Sequence, residues 1–233
     1  MLQTEWKNAL RAAFPHTLPI MAGYIFLGMA FGFLMRTENQ GLLITLMMSS
    51  LVYAGSLQYV ALTLLAAAFN PLQAFLLTLL VNARHLFYGL AMVERYRNMG
   101  AYKLYLIFGL TDETFSVIGT TDVPSGVDRQ RFYFLITLLN HLYWVVGSAA
   151  GSLLGQFLHF DTSGLDFVLT ALFVVIFVNQ WRLKNNRVPA LIGLLATLAC
   201  LWLLGPDQFI LPAMGLILLL LLLSRPLDPE AVP

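Results

Sequence analysis

Apolar runs separated by short polar stretches set the pattern of this chain. They cover residues 18–35, 42–69, 72–93, 104–119, 132–158, 165–181, 188–204 and 209–223, and most reach the ~20 residues a helix needs to cross a bilayer. Polar breaks such as Asn70-Pro71 and the 122–131 stretch with Pro124 and Gly126 separate them. The pattern predicts an all-α, polytopic integral membrane protein with about eight hydrophobic segments, some discontinuous or re-entrant. Ahead of the first run, Trp6, Leu10 and Phe14 recur every four residues beside Lys7 and Arg11, as in a helix lying in the headgroup layer. The expected division is an interfacial segment over 1–17, a transmembrane domain over 18–224 and a tail over 225–233. The 18–35 run exceeds a signal-peptide core and no small-x-small cleavage site follows it, so the segment is expected to be retained.

Two runs carry interruptions. In 42–69, Ser49-Ser50 and Tyr53-Ala54-Gly55-Ser56-Leu57-Gln58-Tyr59 suggest two half-helices joined by an unwound or bent segment. Such breaks persist in lipid only where the freed backbone groups face protein or a wet cavity. The second half-helix, with Ser56 as its cap, would then offer its N-terminus to an anion. The 104–119 run is interrupted at Gly109-Leu110-Thr111-Asp112-Glu113-Thr114-Phe115. Gly28-x3-Gly32 and Gly147-x3-Gly151-x3-Gly155 mark faces for close helix packing. A short echo, Ser56–Val60 against Gly164–Val168, hints at an internal repeat.

Composition agrees: 59% of residues are hydrophobic and 11% charged, with mean hydropathy +0.77. That leaves almost no chain for a soluble catalytic or nucleic-acid-binding module. The single cysteine, Cys200, excludes an intrachain disulfide framework, and no metal or cofactor site is expected. Among 13 cationic residues Arg84 alone lies deep in an apolar run. An Arg at mid-membrane costs roughly 2.5–3.5 kcal/mol on insertion scales unless an anion, a dipole or water compensates it. Asp112 and Glu113 occupy the same kind of position in the next run. One would neutralise Arg84 as a structural pair, or one would carry a proton, since adjacent carboxylates away from water resist joint ionisation. At 100° per residue Asn82, His85 and Gly89 share one stripe, and Arg84 and Tyr88 another. Asn140 and His141 reach either a cavity or a neighbouring helix. Loop cations put both termini in the cytoplasm. Arg95, Arg97 and Lys103 fit that rule only if 42–69 and 104–119 each enter and leave on one side.

Met29-Ala30-Phe31-Gly32, the Tyr53–Tyr59 stretch, Ala83-Arg84-His85-Leu86-Phe87-Tyr88-Gly89 and Gly109–Phe115 together resemble the motifs of the AzlC family, the large subunits of bacterial branched-chain amino-acid exporters. Asn82 stands where members of that family often carry an acidic residue. The resemblance implies export of valine, leucine, isoleucine or similar apolar amino acids across the bacterial inner membrane, with a small four-helix AzlD-type subunit as partner. A zwitterionic amino acid needs donors for its carboxylate, an acceptor for its ammonium and an apolar pocket. The candidate substrate residues are Tyr53, Gly55, Ser56, Gln58, Asn82, Arg84, His85, Asp112, Glu113 and Asn140. Tyr53, Tyr59 and Phe87 are candidates for the apolar wall, and Asp112, Glu113 and His85 for proton coupling. The alternative is a membrane scaffold or channel-like subunit whose polar core serves assembly. A hydrolase is disfavoured, since neither His-Glu-x-x-His nor Gly-x-Ser-x-Gly occurs.

Overall fold

The computed structural model describes residues 2–66, 71–157, 174, 177–178, 181–182, 187–205 and 209–224. All regular elements among them are helical. The chain forms two compact units, Met1–Leu169 and Thr170–Pro233.

The first unit is built on two long helices, α1 (Leu2–Thr37) and α8 (Arg129–Phe157). They run parallel: Trp6 meets Phe134 near their starts, Tyr24 meets Trp144 midway, and Gly155 faces Phe33 and Arg36 near their ends. Glycines let them touch. A Cβ on Gly28 would stand 2.9 Å from the Trp144 carbonyl oxygen, and one on Gly147 2.7 Å from that of Ile25. Cβ atoms on Gly32 and Gly151 would fall on the backbones of Ser148 and Met29. The two glycine patterns read from the sequence therefore mesh with each other. Where the amphipathic pattern suggests a separate N-terminal helix, α1 continues unbroken through Pro15 and Pro19. Ala9 and Ala13 are fully buried against Met92, Tyr96, Met99 and Leu106. Tertiary packing holds this stretch against the unit.

Between α1 and α8 the chain makes two hairpins and one through-going helix. The first hairpin comprises α2 (Leu42–Met47), a π-helical turn (Met48–Val52) and α3 (Gly55–Ala66). The break falls at Tyr53, whose φ of +41° is left-handed, a conformation costly for a bulky side chain. It starts near the α8 end, with Thr45 beside Ser152, reaches His141 at Tyr53, and turns back with Gln58 at Trp144. Then α4 (Pro71–Asn82) and α5 (Arg84–Met92) run as a nearly continuous helix to the opposite end. The second hairpin, α6 (Tyr102–Phe108) and α7 (Asp112–Thr120), leaves from there. Tyr102 lies by Trp6, Gly109 abuts Thr137, and the carbonyl after Thr120, that of Thr121, is back beside Arg95. Each broken run therefore returns to the end it came from, and the tips meet where Tyr53 and Phe108 lie 6.2 Å apart. The N-terminus and the 93–101 and 121–131 stretches share one end, tied by Arg131 to Glu5, Gln130 to Asn98 and Arg129 to the Arg95 carbonyl.

Outward faces carry bare leucines, such as Leu43, Leu86, Leu90 and Leu104, as lipid contact requires. Four described helices are long and apolar enough to cross a membrane, Thr4–Thr37, Ala74–Met92, Arg129–Phe157 and Arg187–Leu204. In the second unit Arg187–Leu204 packs on Ile210–Ser224, burying Ala196, Cys200 and Ala213. The expected sixth run over 165–181 is described only in fragments. The Gly164–Val168 echo and the 225–233 tail lie outside the described residues.

Candidate functional site

Both hairpins place the N-terminus of a helix at the meeting point. Helix α3 starts at Gly55, so the cap position belongs to Ala54, whose carbonyl accepts from the Gln58 N–H at 2.8 Å. Ser56 sits inside the first turn and is not the cap expected from the sequence, because the left-handed Tyr53 turns the chain just before Ala54 and moves the cap two residues earlier. Ala54 offers no side-chain acceptor, which leaves the first-turn N–H groups of α3 available. Helix α7 is capped conventionally: the Thr111 hydroxyl accepts from the Thr114 N–H at 3.3 Å. Its first turn carries Asp112 and Glu113, where the helix dipole favours negative charge.

Arg84 joins the two helix starts. One guanidinium nitrogen lies 2.5 Å from Asp112 Oδ2 and the other donates to Ser56 Oγ at 2.6 Å. The side chains of Arg84 and Asp112 are 30% and 24% exposed, so the pair borders open space and is not sealed in the core. Two charge-assisted contacts of this kind, each worth about 1.5–3 kcal/mol, offset the cost of a cation at this depth. The two acids part company. Asp112 takes the arginine, while Glu113 Oε2 accepts from the Tyr24 hydroxyl of α1 at 2.5 Å. Tyr24 also lies 2.7 Å from Thr111 Oγ1. The structural-pair role thus falls to Asp112, and the acid left without a cation is Glu113.

A second line of hydrogen bonds ties the hairpins to α8. Asn140 Nδ2 donates to Thr114 Oγ1 at 3.1 Å, and one turn on, Trp144 Nε1 donates to Gln58 Oε1 at 2.9 Å. Gln58 and Asn140 have no exposed surface. Several polar atoms near the junction have no partner among the described residues: Gln58 Nε2, Arg84 Nε, Asp112 Oδ1 and Asn140 Oδ1. Such atoms are costly when buried, and they are the donors and acceptors a polar ligand or water would satisfy.

Of the residues expected at the site, the structure brings Ser56, Arg84 and Asp112 into direct contact. It attaches Gly55, Gln58 and Asn140 through Trp144 and Thr114; the Trp144 ring lies 3.2 Å from where a Gly55 Cβ would be. Tyr53 belongs to the tip, its ring tilted against that of His141 at 4.1 Å between centroids. Asn82 and His85 stand apart. His85 Nδ1 is 3.1 Å from the Asn82 carbonyl, and its ring packs edge-on against Tyr88 and lines a groove shared with Lys103 and Ile107 of α6. The wall proposed from aromatics changes too: Phe87 is 56% exposed on the outer face, and the Tyr59 hydroxyl is spent on the Leu27 carbonyl. Sequence reasoning missed Tyr24, Thr111, Thr114 and Trp144. Two signals were available, the cap-forming Thr before Asp-Glu and the four-residue spacing of Asn140 and Trp144.

The AzlC protein family model matches residues 19–158, which take in the second half of α1, both hairpins and all of α8. The chain belongs to the AzlC family. It is 50% identical to the branched-chain amino acid transport protein AzlC of Bacillus subtilis, over 96% of this chain and 89% of that one. An uncharacterized membrane protein of Helicobacter pylori is 41% identical over 95% of this chain and 97% of its own length. The inner membrane protein YgaZ of Escherichia coli is 28% identical over 77% of each chain. No solved structure matches the chain. The chain is an all-α, polytopic membrane protein, and two of these relatives are named as membrane proteins.

Proposed function

We propose that this AzlC protein exports valine, leucine, isoleucine or similar apolar amino acids such as methionine, coupled to proton return, and works with a small AzlD-type subunit in the bacterial inner membrane. The observation that carries the reading is the single guanidinium between two half-helix N-termini, with partnerless polar atoms around it. The first turn of α3, the Ser56 O–H and Gln58 Nε2 supply donors for a carboxylate. Asp112 Oδ1 supplies the acceptor for an ammonium. The B. subtilis relative is a branched-chain amino acid transport protein, which supports the substrate class.

Because Gln58 is buried, substrate reaches it only when the α3 hairpin shifts, which couples binding to movement at the tips. Glu113, held by Tyr24 rather than by a cation, is the group that takes and releases the proton. Orientation follows from charge: Lys7, Arg11, Arg95, Arg97, Lys103, Arg129 and Arg131 gather at one end of the first unit, against Arg36 at the other. By the positive-inside rule the rich end, with the N-terminus, is cytoplasmic.

The test is leucine transport by purified protein in proteoliposomes, with and without the small subunit. Counterflow driven by internal leucine, and uphill movement driven by a pH gradient, are expected. Asp112→Asn is expected to abolish the pH-driven movement. Unchanged transport by that variant would remove the Arg84–Asp112 pair from the mechanism, and a chain inert under every condition would favour the scaffold role.

A further inference from the structure

A cavity of about 250 Å³ lies beside the Arg84 site, on the opposite stripe of α5. Its walls are His85 and Gly89 of α5 with Tyr96 beyond it, and Lys103, Ile107 and Leu110 of the second hairpin. The spacing makes it a groove. His85, Gly89, Met92 and Tyr96 follow one face of the chain, and Lys103 and Ile107 follow one face of α6, with Leu110 just past its end. At its inner end His85 is next to Arg84, and Leu110 next to the Thr111 cap. Its outer end lies at the cation-rich end of the unit, where Lys103 is exposed.

Tyr96 is 3% exposed, and its buried hydroxyl has no hydrogen-bond partner among the described residues. Midway along, a Cβ on Gly89 would meet nothing within 4 Å, so helix packing does not demand glycine there. The volume is several times the ~30 Å³ share of one water, and its lining joins an apolar middle to a cationic end. That chemistry matches an apolar side chain bearing a carboxylate.

We propose that this groove is the path by which an apolar amino acid passes between the Arg84 site and the cation-rich end, pausing with its carboxylate at Lys103. The inference rests on the exporter reading, and adds to it a route and a second subsite. The test fills the groove. In proteoliposomes Gly89→Leu is expected to slow leucine counterflow at least tenfold, while equilibrium leucine binding to the purified variant stays within about twofold of wild type and Gly89→Ala transports almost normally. In a Cys200→Ala background, Gly89→Cys is expected to react with a water-soluble methanethiosulfonate, and leucine to slow that reaction. Wild-type counterflow by Gly89→Leu would overturn the path. So would labelling of Gly89→Cys by a lipid-soluble maleimide alone, which would mean an acyl chain fills the groove. Lost binding in Gly89→Leu would place Gly89 in the primary site and remove the distinction between path and site. If the wild-type protein moves no apolar amino acid at all, the exporter reading falls first and the path with it.

Discussion

A guanidinium set among leucines needs partners, and here it has two that belong to different hairpins. Arg84 contacts both Asp112 and Ser56, so the residue that neutralises charge also links two helix starts. The neighbouring acid is free of that duty. Glu113→Gln is therefore expected to leave leucine exchange intact but to eliminate its acceleration by a pH gradient, as read by transport at matched and mismatched internal pH. Thr111→Ala removes the cap of α7 and is expected to cost about 1 kcal/mol, lowering the melting temperature without abolishing binding. At this scale the sequence was informative where chemistry is expensive. Arg84, Asp112 and Glu113 stand out because lipid makes charge costly, and the division of labour between the two acids was left open because one residue of helix separates their directions. Tyr24 and Trp144 were illegible, since a tyrosine or tryptophan in an apolar run looks like any other lipid-facing or core aromatic.

Helix packing was easier to foresee. The α1–α8 contact is made by four glycines whose missing side chains are replaced by the partner's backbone, and spacing by fours announced both faces. Gly32→Val and Gly151→Val are each expected to destabilise the protein by well over the ~1–3 kcal/mol typical of overpacking, because backbone cannot yield as a side chain does. Gly23→Ala, where a Cβ meets nothing within 4 Å, is expected to be neutral or stabilising by roughly 0.5–1 kcal/mol. Thermal unfolding followed by size-exclusion chromatography separates the two outcomes. The breaks in both hairpins were visible as Gly- and Ser-bearing interruptions of apolar runs. The exact turn was not: the left-handed Tyr53 is no residue that local preference would choose, and it moved the start of α3 ahead of Ser56. The continuous α1 shows the same limit, since only its contacts with Met92, Tyr96 and Met99 reveal why its first turns stay with the unit.

For the first unit, the decisive feature is that two broken segments each turn back near mid-depth. This arrangement brings Arg95, Arg97 and Lys103 to the same end as Lys7 and Arg11, and so removes the one exception to the charge rule that eight full crossings would create. Cysteines placed at Asn98 and at Asn39 are expected to be labelled from opposite sides of the membrane, with Asn98 on the cytoplasmic side. Equal labelling of both from one side would mean that the hairpins do not return as described. The polar junction then sits where access from the two sides can alternate, with Arg84 at its centre. The most direct test is equilibrium binding of radiolabelled leucine to the purified protein and to Arg84→Ala. The account predicts saturable binding by the wild type and at least a hundredfold loss in the variant, with a glycerophospholipid headgroup unable to compete. Undiminished leucine binding to a folded Arg84→Ala protein would contradict it.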